Sequence, residues 1–279
     1  MGRNKGFKGK SVMNLLREII GNKKLLLKLA KNDFKTKYAG SYLGIFWAFV
    51  QPVVTIAIYV FVFQVGFRAG GTENGYHFVL YLIAGIIPWF FFAEALQNAT
   101  SCLLEYSYLV KKVVFNISIL PILKVISSLF VHLFFIVISY IIFAANGKMP
   151  GVQFVQIIYY TICAIVLVSA ISYFTCSITP FFKDFAQIIN IITQIGMWMT
   201  PIMWKESMLI GTAAEKFMVI LKLNPMYYIV QGYRDAFMDG AWFFEHGKLT
   251  LYFWCFVIAA AFIGNKVFNR MRVHFSDVL

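Results

Sequence analysis

Apolar residues run almost unbroken through six stretches of this chain, at about 43–66, 78–99, 120–145, 152–179, 185–204 and 249–268. Each is close to the ~20 residues an α-helix needs to cross the ~30 Å apolar core of a bilayer. The third has Lys124 near its edge, so its strictly apolar part is 125–145. The fourth lies in an interval with no charged residue between Lys148 and Lys183, which predicts tilt or extension beyond the bilayer. The pattern predicts an all-α integral membrane protein with six transmembrane helices in a single domain, 1–279. No repeat of 20–50 residues and no soluble insertion interrupts it.

Between and before these runs the pattern changes period. Val12, Leu15, Leu16, Ile19 and Ile20 follow helical spacing, and after a break at Gly21-Asn22 a second stripe continues through Leu26, Leu29, Ala30 and Phe34. Lys23, Lys24, Lys28, Lys31 and Lys35 lie mostly off that stripe. Segment 1–42 therefore predicts a basic amphipathic helix in the cytoplasmic interface, either a simple anchor or a belt around the membrane domain. It meets the first span through NDFKTKYAGSYLGIFWAFVQP (32–52), where Gly40 and Gly44 permit a turn. Segment 205–248 holds two apolar stretches of 10–14 residues, too short to span, the second opening with Pro225 at its first helical position after Asn224. They read as short re-entrant helices between the fifth and sixth spans.

Composition agrees with a membrane protein. Of 279 residues, 60% are hydrophobic, 18% aromatic and only 13% charged, where soluble domains carry about a quarter charged. Placing both termini in the cytoplasm puts 11, 3, 1 and 3 Lys or Arg on inner segments 1–42, 100–124, 180–184 and 265–279, against 1, 1 and 5 on outer segments 67–77, 146–151 and 205–248. The positive-inside rule favours that orientation, so much of the +13 net charge reports topology rather than nucleic acid. Cys102, Cys163, Cys176 and Cys255 show no ligand spacing and read as small core hydrophobes. The string NKGFKGKS lacks the first glycine of a phosphate-binding loop, with Asn4 in its place, so no nucleotide site is expected here. The histidines show no metal-ligand spacing, and His132 reads as a hydrogen-bonded structural residue.

Polar residues inside the spans narrow the chemistry. Glu94 is the one mid-span acid, followed on its helix face by Gln97, Asn98 and Ser101, and it serves either a helix–helix hydrogen bond or a substrate path. Gln187, Asn190 and Gln194, then Trp198 and Pro201, form a second stripe. Amides and aromatics without charge suit sugar hydroxyls and rings better than ions. With Trp47, Gln51 and Tyr59 of the first span, Glu94 and these residues are the channel candidates. Gln51 and Pro52 then put a polar, kinked face on an otherwise apolar helix.

Three blocks carry a family resemblance. KTKYAGSYLGIFWAFVQP supplies Lys35, Lys37, Tyr38, Ser41, Leu43, Gly44, Trp47 and Pro52; LVKKVVFNISILP covers 109–121; TPIMW with NPMYYIVQGYRDAF supplies Pro201, Asn224, Pro225, Tyr233 and Arg234. Together they resemble the permease subunits of ABC exporters for lipid-linked polysaccharides and polyol phosphates, of the O-antigen, capsule and teichoic-acid kinds. The likeness spans almost the whole chain, with Asn116 where the family often has proline. It implies a homodimer in the bacterial plasma membrane with two ATP-binding cassette subunits and a channel between the copies. Those partners would hold ATP and Mg, so this chain would be a transport subunit rather than an enzyme. Segment 101–117 would be a coupling helix and loop 180–184 a second ATPase contact, giving roles to Lys111, Lys112, Phe115, Lys183 and Asp184 beyond positive-inside topology. A drug or antibiotic exporter of the same architecture is the nearest rival. A membrane-embedded glycosyl- or phosphotransferase would need clustered acids at the membrane edge, and Asp235 and Asp239 are the nearest pair.

Overall fold

The computed structural model describes residues 21–66, 76–111, 116–209 and 211–279, and the regular elements in these ranges are helical. The stripe expected at Val12–Ile20, together with Lys112 and Phe115, lies outside the described residues. Eight principal helices follow in order: α1 Lys23–Lys37, α2 Trp47–Val60, α3 Phe78–Glu105, α4 Leu120–Ala145, α5 Gln156–Ile178, α6 Phe185–Met199, α7 Pro225–Phe237 and α8 Gly247–Met271. Counting the tighter or wider turns at their ends, five runs among the described residues are long and apolar enough to cross a membrane: Gly44–Gly66, Phe78–Glu105, Ile117–Ala145, Val152–Ile178 and Gly247–Val278.

The fifth expected span, 185–204, needs correction. Its helix stops at Met199 after 15 residues. At 1.5 Å per residue it reaches about 22 Å, short of the ~30 Å apolar core. The cause is local: Pro201 disfavours helical backbone at the residue before it, and Thr200 sits extended with ψ of 135°. The Thr200 hydroxyl donates back to Gly196 O (2.8 Å) and accepts from Asn224 Nδ2 (2.9 Å), which ties this helix end to the start of α7. The second and last spans run further than expected, to Glu105 and Met271.

Within a bilayer, apolar burial between helices gives little driving force, so close packing and hydrogen bonds carry the association. α3 is the hub, against α4, α5 and α7, while α8 packs along α5. α7 begins as its sequence dictates: the Asn224 side chain accepts from Met226 N (3.0 Å), with Pro225 in the first turn. It is buried almost throughout. Gly232 makes its approach to α5 possible, because a Cβ there would lie 2.0 Å from the Tyr160 ring. Tyr233 meets His132 Nε2 (2.7 Å) and Thr161 Oγ1 (2.6 Å), the hydrogen-bonded role expected of His132. By contrast α2 and α6 are peripheral, with a single buried residue each, Ala48 and Ile189.

Candidate functional site

The elbow between α1 and α2 builds the first candidate site. Gly40 (φ 90°) and Gly44 (φ 52°) both adopt left-handed backbone, which non-glycine residues rarely do. The Ser41 hydroxyl donates to Tyr38 O (3.3 Å), and the short helix Gly44–Phe46 leads into α2. This turn brings the C-terminal end of α1 against the first turns of α2 and the middle of α3. Lys37 Nζ donates to Glu94 Oε1 at 2.6 Å, so the mid-span acid is held by an ion pair to the interfacial helix. Burial pushes the Lys37 ammonium down, but the Glu94 carboxylate and Tyr38 outweigh it and leave its pKa raised above 10.5.

A cavity of about 320 Å³ opens beside this pair, lined by Lys37, Tyr38, Trp47, Gln51, Thr55 and Glu94 among others. It offers an indole face, an amide and a neutralised charge pair, a combination suited to a hydroxyl-rich ligand. Three channel candidates, Trp47, Gln51 and Glu94, therefore meet in one place. Tyr59 does not join them; it is half-buried against the core. Two other members of the Glu94 stripe make helix–helix bonds: Gln97 Nε2 to Ala186 O (3.3 Å) and Asn98 Nδ2 to Ser128 Oγ (3.1 Å).

The second stripe lies on the outer face of α6. Ile189 and Gly196 turn inward, the latter so close that a Cβ would lie 3.0 Å from Trp89. Gln187, Gln194 and Trp198 are exposed and Asn190 is half-buried. Behind α6, toward α3, α7 and α8, lies an apolar cavity of about 500 Å³ that includes Trp89, Phe92, Ile192 and Phe256.

On the opposite end of α3, Ser107–Val110 forms one helical turn, and Lys111 is exposed after it. Asn116 caps the following turn by accepting from Ser118 N (3.3 Å). Lys183 and Asp184 are exposed in the loop between α5 and α6, beside the exposed rings of Phe181 and Phe182. Of the remaining motif residues, Lys35 and Leu43 are exposed, while Pro201, Tyr233 and Arg234 are buried. Arg234 stacks on Tyr81, 3.7 Å from guanidinium carbon to ring centroid, and its Nη2 donates to Ile202 O (3.0 Å).

One polar cluster was not anticipated. Lys124 Nζ reaches Asp33 Oδ1 (2.8 Å) and Glu105 Oε2 (2.5 Å), and the Tyr106 hydroxyl donates to Asp33 (2.5 Å). Asp33 falls on the face of Leu26 and Ala30, which are likewise buried. An acid on the apolar stripe of an interfacial helix was the available signal, paired with a lysine inside a span.

The geometry is that of a multi-pass membrane domain with two polar outer faces and a glycine elbow before its first span. Residues 24–238 match the family model described as ABC-2 type transporter, and the chain belongs to that family. As a membrane component of such a transporter it works with an ATP-binding subunit. Two O-antigen export system permease proteins named RfbA from Klebsiella pneumoniae are each 25% identical over 256 residues, covering 91% of this chain and 95% of theirs. A namesake from Myxococcus xanthus is 26% identical over 228 residues, covering 82% and 85%.

Proposed function

We propose that this chain is the membrane subunit of an ATP-driven exporter that moves a lipid-linked polysaccharide of the O-antigen kind outward across a bacterial plasma membrane. It acts as a homodimer with two ATP-binding subunits and both termini in the cytoplasm. ATP and Mg reside on those partners. The short helices of 205–248 re-enter the outer leaflet, so that α7 starts at membrane depth near Thr200.

The observation that carries this reading is where the two polar stripes face. α2 and α6 are the two least buried principal helices of the membrane region, and each puts amides on its exposed side: Gln51 on one, Gln187 and Gln194 on the other. Amides facing lipid are costly, whereas a water-filled seam between two copies satisfies them. Trp198 and Trp47 add ring faces on which sugars stack, and no fixed net charge selects for ions. The O-antigen permeases similar to this chain support polysaccharide over a drug as cargo.

Replacing Gln194 and Trp198 together with alanine tests the channel. Surface polysaccharide in a host lacking its own copy should fall at least five-fold, while the dimer and its ATP-binding subunit still co-purify. Unchanged surface polysaccharide removes these residues from the path.

A further inference from the structure

We propose that Phe275 is a positioning residue that joins the two ATPase-facing loops into one unit. This rests on the transporter reading above and assigns a role to residues beyond the expected coupling segments. After α8, a tighter helical turn at Arg272–His274 continues the chain into the short helix Phe275–Val278. Phe275 is fully buried there, although charged and polar residues Arg272, His274 and Asp277 flank it. It enters a compact cluster with Cys102, Leu103, Ile117, Leu120, Tyr173 and Phe268, which draws residues from the cytoplasmic ends of α3, α4, α5 and α8.

The contacts form a ladder. Phe181, in the loop between α5 and α6, packs on Phe275 with centroids 6.1 Å apart. Phe275 meets Phe268 edge-on at 5.7 Å, and Phe268 meets Tyr173 edge-on at 5.3 Å. The Tyr173 hydroxyl then donates to Ser118 O at 2.8 Å, where the chain returns from the first coupling segment into α4. Leu109 and Val110 of that segment's helical turn pack against the same cluster. Four rings and one hydrogen bond thus run from the second loop to the end of the first.

Edge-to-face rings in a close-packed cluster resist independent displacement of their ends. A push on either loop from an ATP-binding subunit is therefore shared by both, and reaches α4 and α5 together. Phe275 is the rung that links Phe181 of the loop between α5 and α6 to Phe268 of α8. Without it, each loop still presents its own exposed residues to the partner, but the two move separately. The expected defect is loss of transport at intact assembly.

The test compares Phe275→Ala, Phe275→Leu, Phe181→Ala and the Phe181→Ala/Phe275→Ala pair in the full transporter. Three quantities are read: ATP-binding subunit retained on purification, ATP hydrolysis of the purified complex, and surface polysaccharide in cells. Phe275→Ala should retain the subunit and its basal hydrolysis but export at least five-fold less polysaccharide, with Phe275→Leu restoring most of it. Phe181→Ala, at a half-exposed loop position that does not threaten folding, should show the same export loss, and the double variant no more than either single. Wild-type export by Phe181→Ala, additive losses in the pair, or loss of the subunit in step with export would each overturn the inference. Failure of the wild-type chain to export polysaccharide with its ATP-binding subunit would instead remove the functional reading on which it rests.

Discussion

The Lys124 ammonium lies 2.8 Å from the Asp33 carboxylate, joining two residues 91 positions apart across the contact between α1 and the N-terminal end of α4. Both side chains are nearly excluded from solvent, and Glu105, half-exposed, supplies the second carboxylate. The cluster fastens α1 to the bundle at the end of α3.

A buried ion pair costs most when only one side is removed, because the other charge stays desolvated. Lys124→Met should therefore lower stability in mild detergent by about 3 kcal/mol. Neutralising the whole set in Asp33→Asn/Glu105→Gln/Lys124→Met should recover most of that loss. Thermal unfolding followed by size-exclusion fluorescence checks the order; equal losses in both variants would show that the charges are solvated.

The Lys37–Glu94 pair behaves differently with pH. The folded-state pKa of Lys37 is raised above its ordinary 10.5, so its contribution is complete below that value and is lost only as pH rises through the folded value. The stability gap between wild type and Lys37→Met should stay constant from neutral pH to about pH 9. It should close above about 10.5. A gap that closes below pH 9 would rule out a raised lysine as its source.

Gly232 allows α7 to rest on the Tyr160 ring. A methyl group there would sit 2.0 Å from ring carbon, and both helices are held by further contacts that limit retreat. Gly232→Ala should cost about 2 kcal/mol or more through overpacking. Tyr160→Leu should relieve part of it. The measurement is the yield and thermal midpoint of the purified protein for the single and double variants.

The sequence pattern locates the long spans well because length and hydropathy alone define them: α4 begins at Leu120 and ends at Ala145, as the apolar run does. It also announces the elbow, since Gly40 and Gly44 take the left-handed backbone that a turn there requires. It overextends α6 because Ile202, Met203 and Trp204 keep the run apolar past Pro201; hydropathy continues where backbone geometry has already stopped the helix. The Asp33–Lys124 pair escapes notice for another reason. Periodicity shows that Asp33 faces the bundle, but not which of the distant cations meets it. Phe275 is hidden likewise, since one ring among Arg272, His274 and Asp277 looks like a solvated end. For the candidate site, Trp47, Gln51 and Glu94 do converge, while Gln187 and Gln194 of α6 stay on an exposed face, a separation that periodicity does not reveal.

Arg234 gives the last test, and it concerns the end of α6. Its guanidinium carbon lies 3.7 Å from the Tyr81 ring centroid and its Nη2 donates to Ile202 O, so it braces the turn that follows Pro201. Gly85 leaves the space, because a Cβ there would approach Nη2 to 2.8 Å. Lysine keeps the charge but neither the plane nor the fork, so Arg234→Lys should loosen this turn and reduce export several-fold. Gly85→Ala pushes the same guanidinium off Tyr81 without touching its charge and should give a smaller loss of the same kind. Combined, the two should be little worse than Arg234→Lys alone, since both break one contact. Surface polysaccharide measured alongside protease sensitivity of segment 200–224 reads the effect. Independent, additive losses would place the two residues in separate roles.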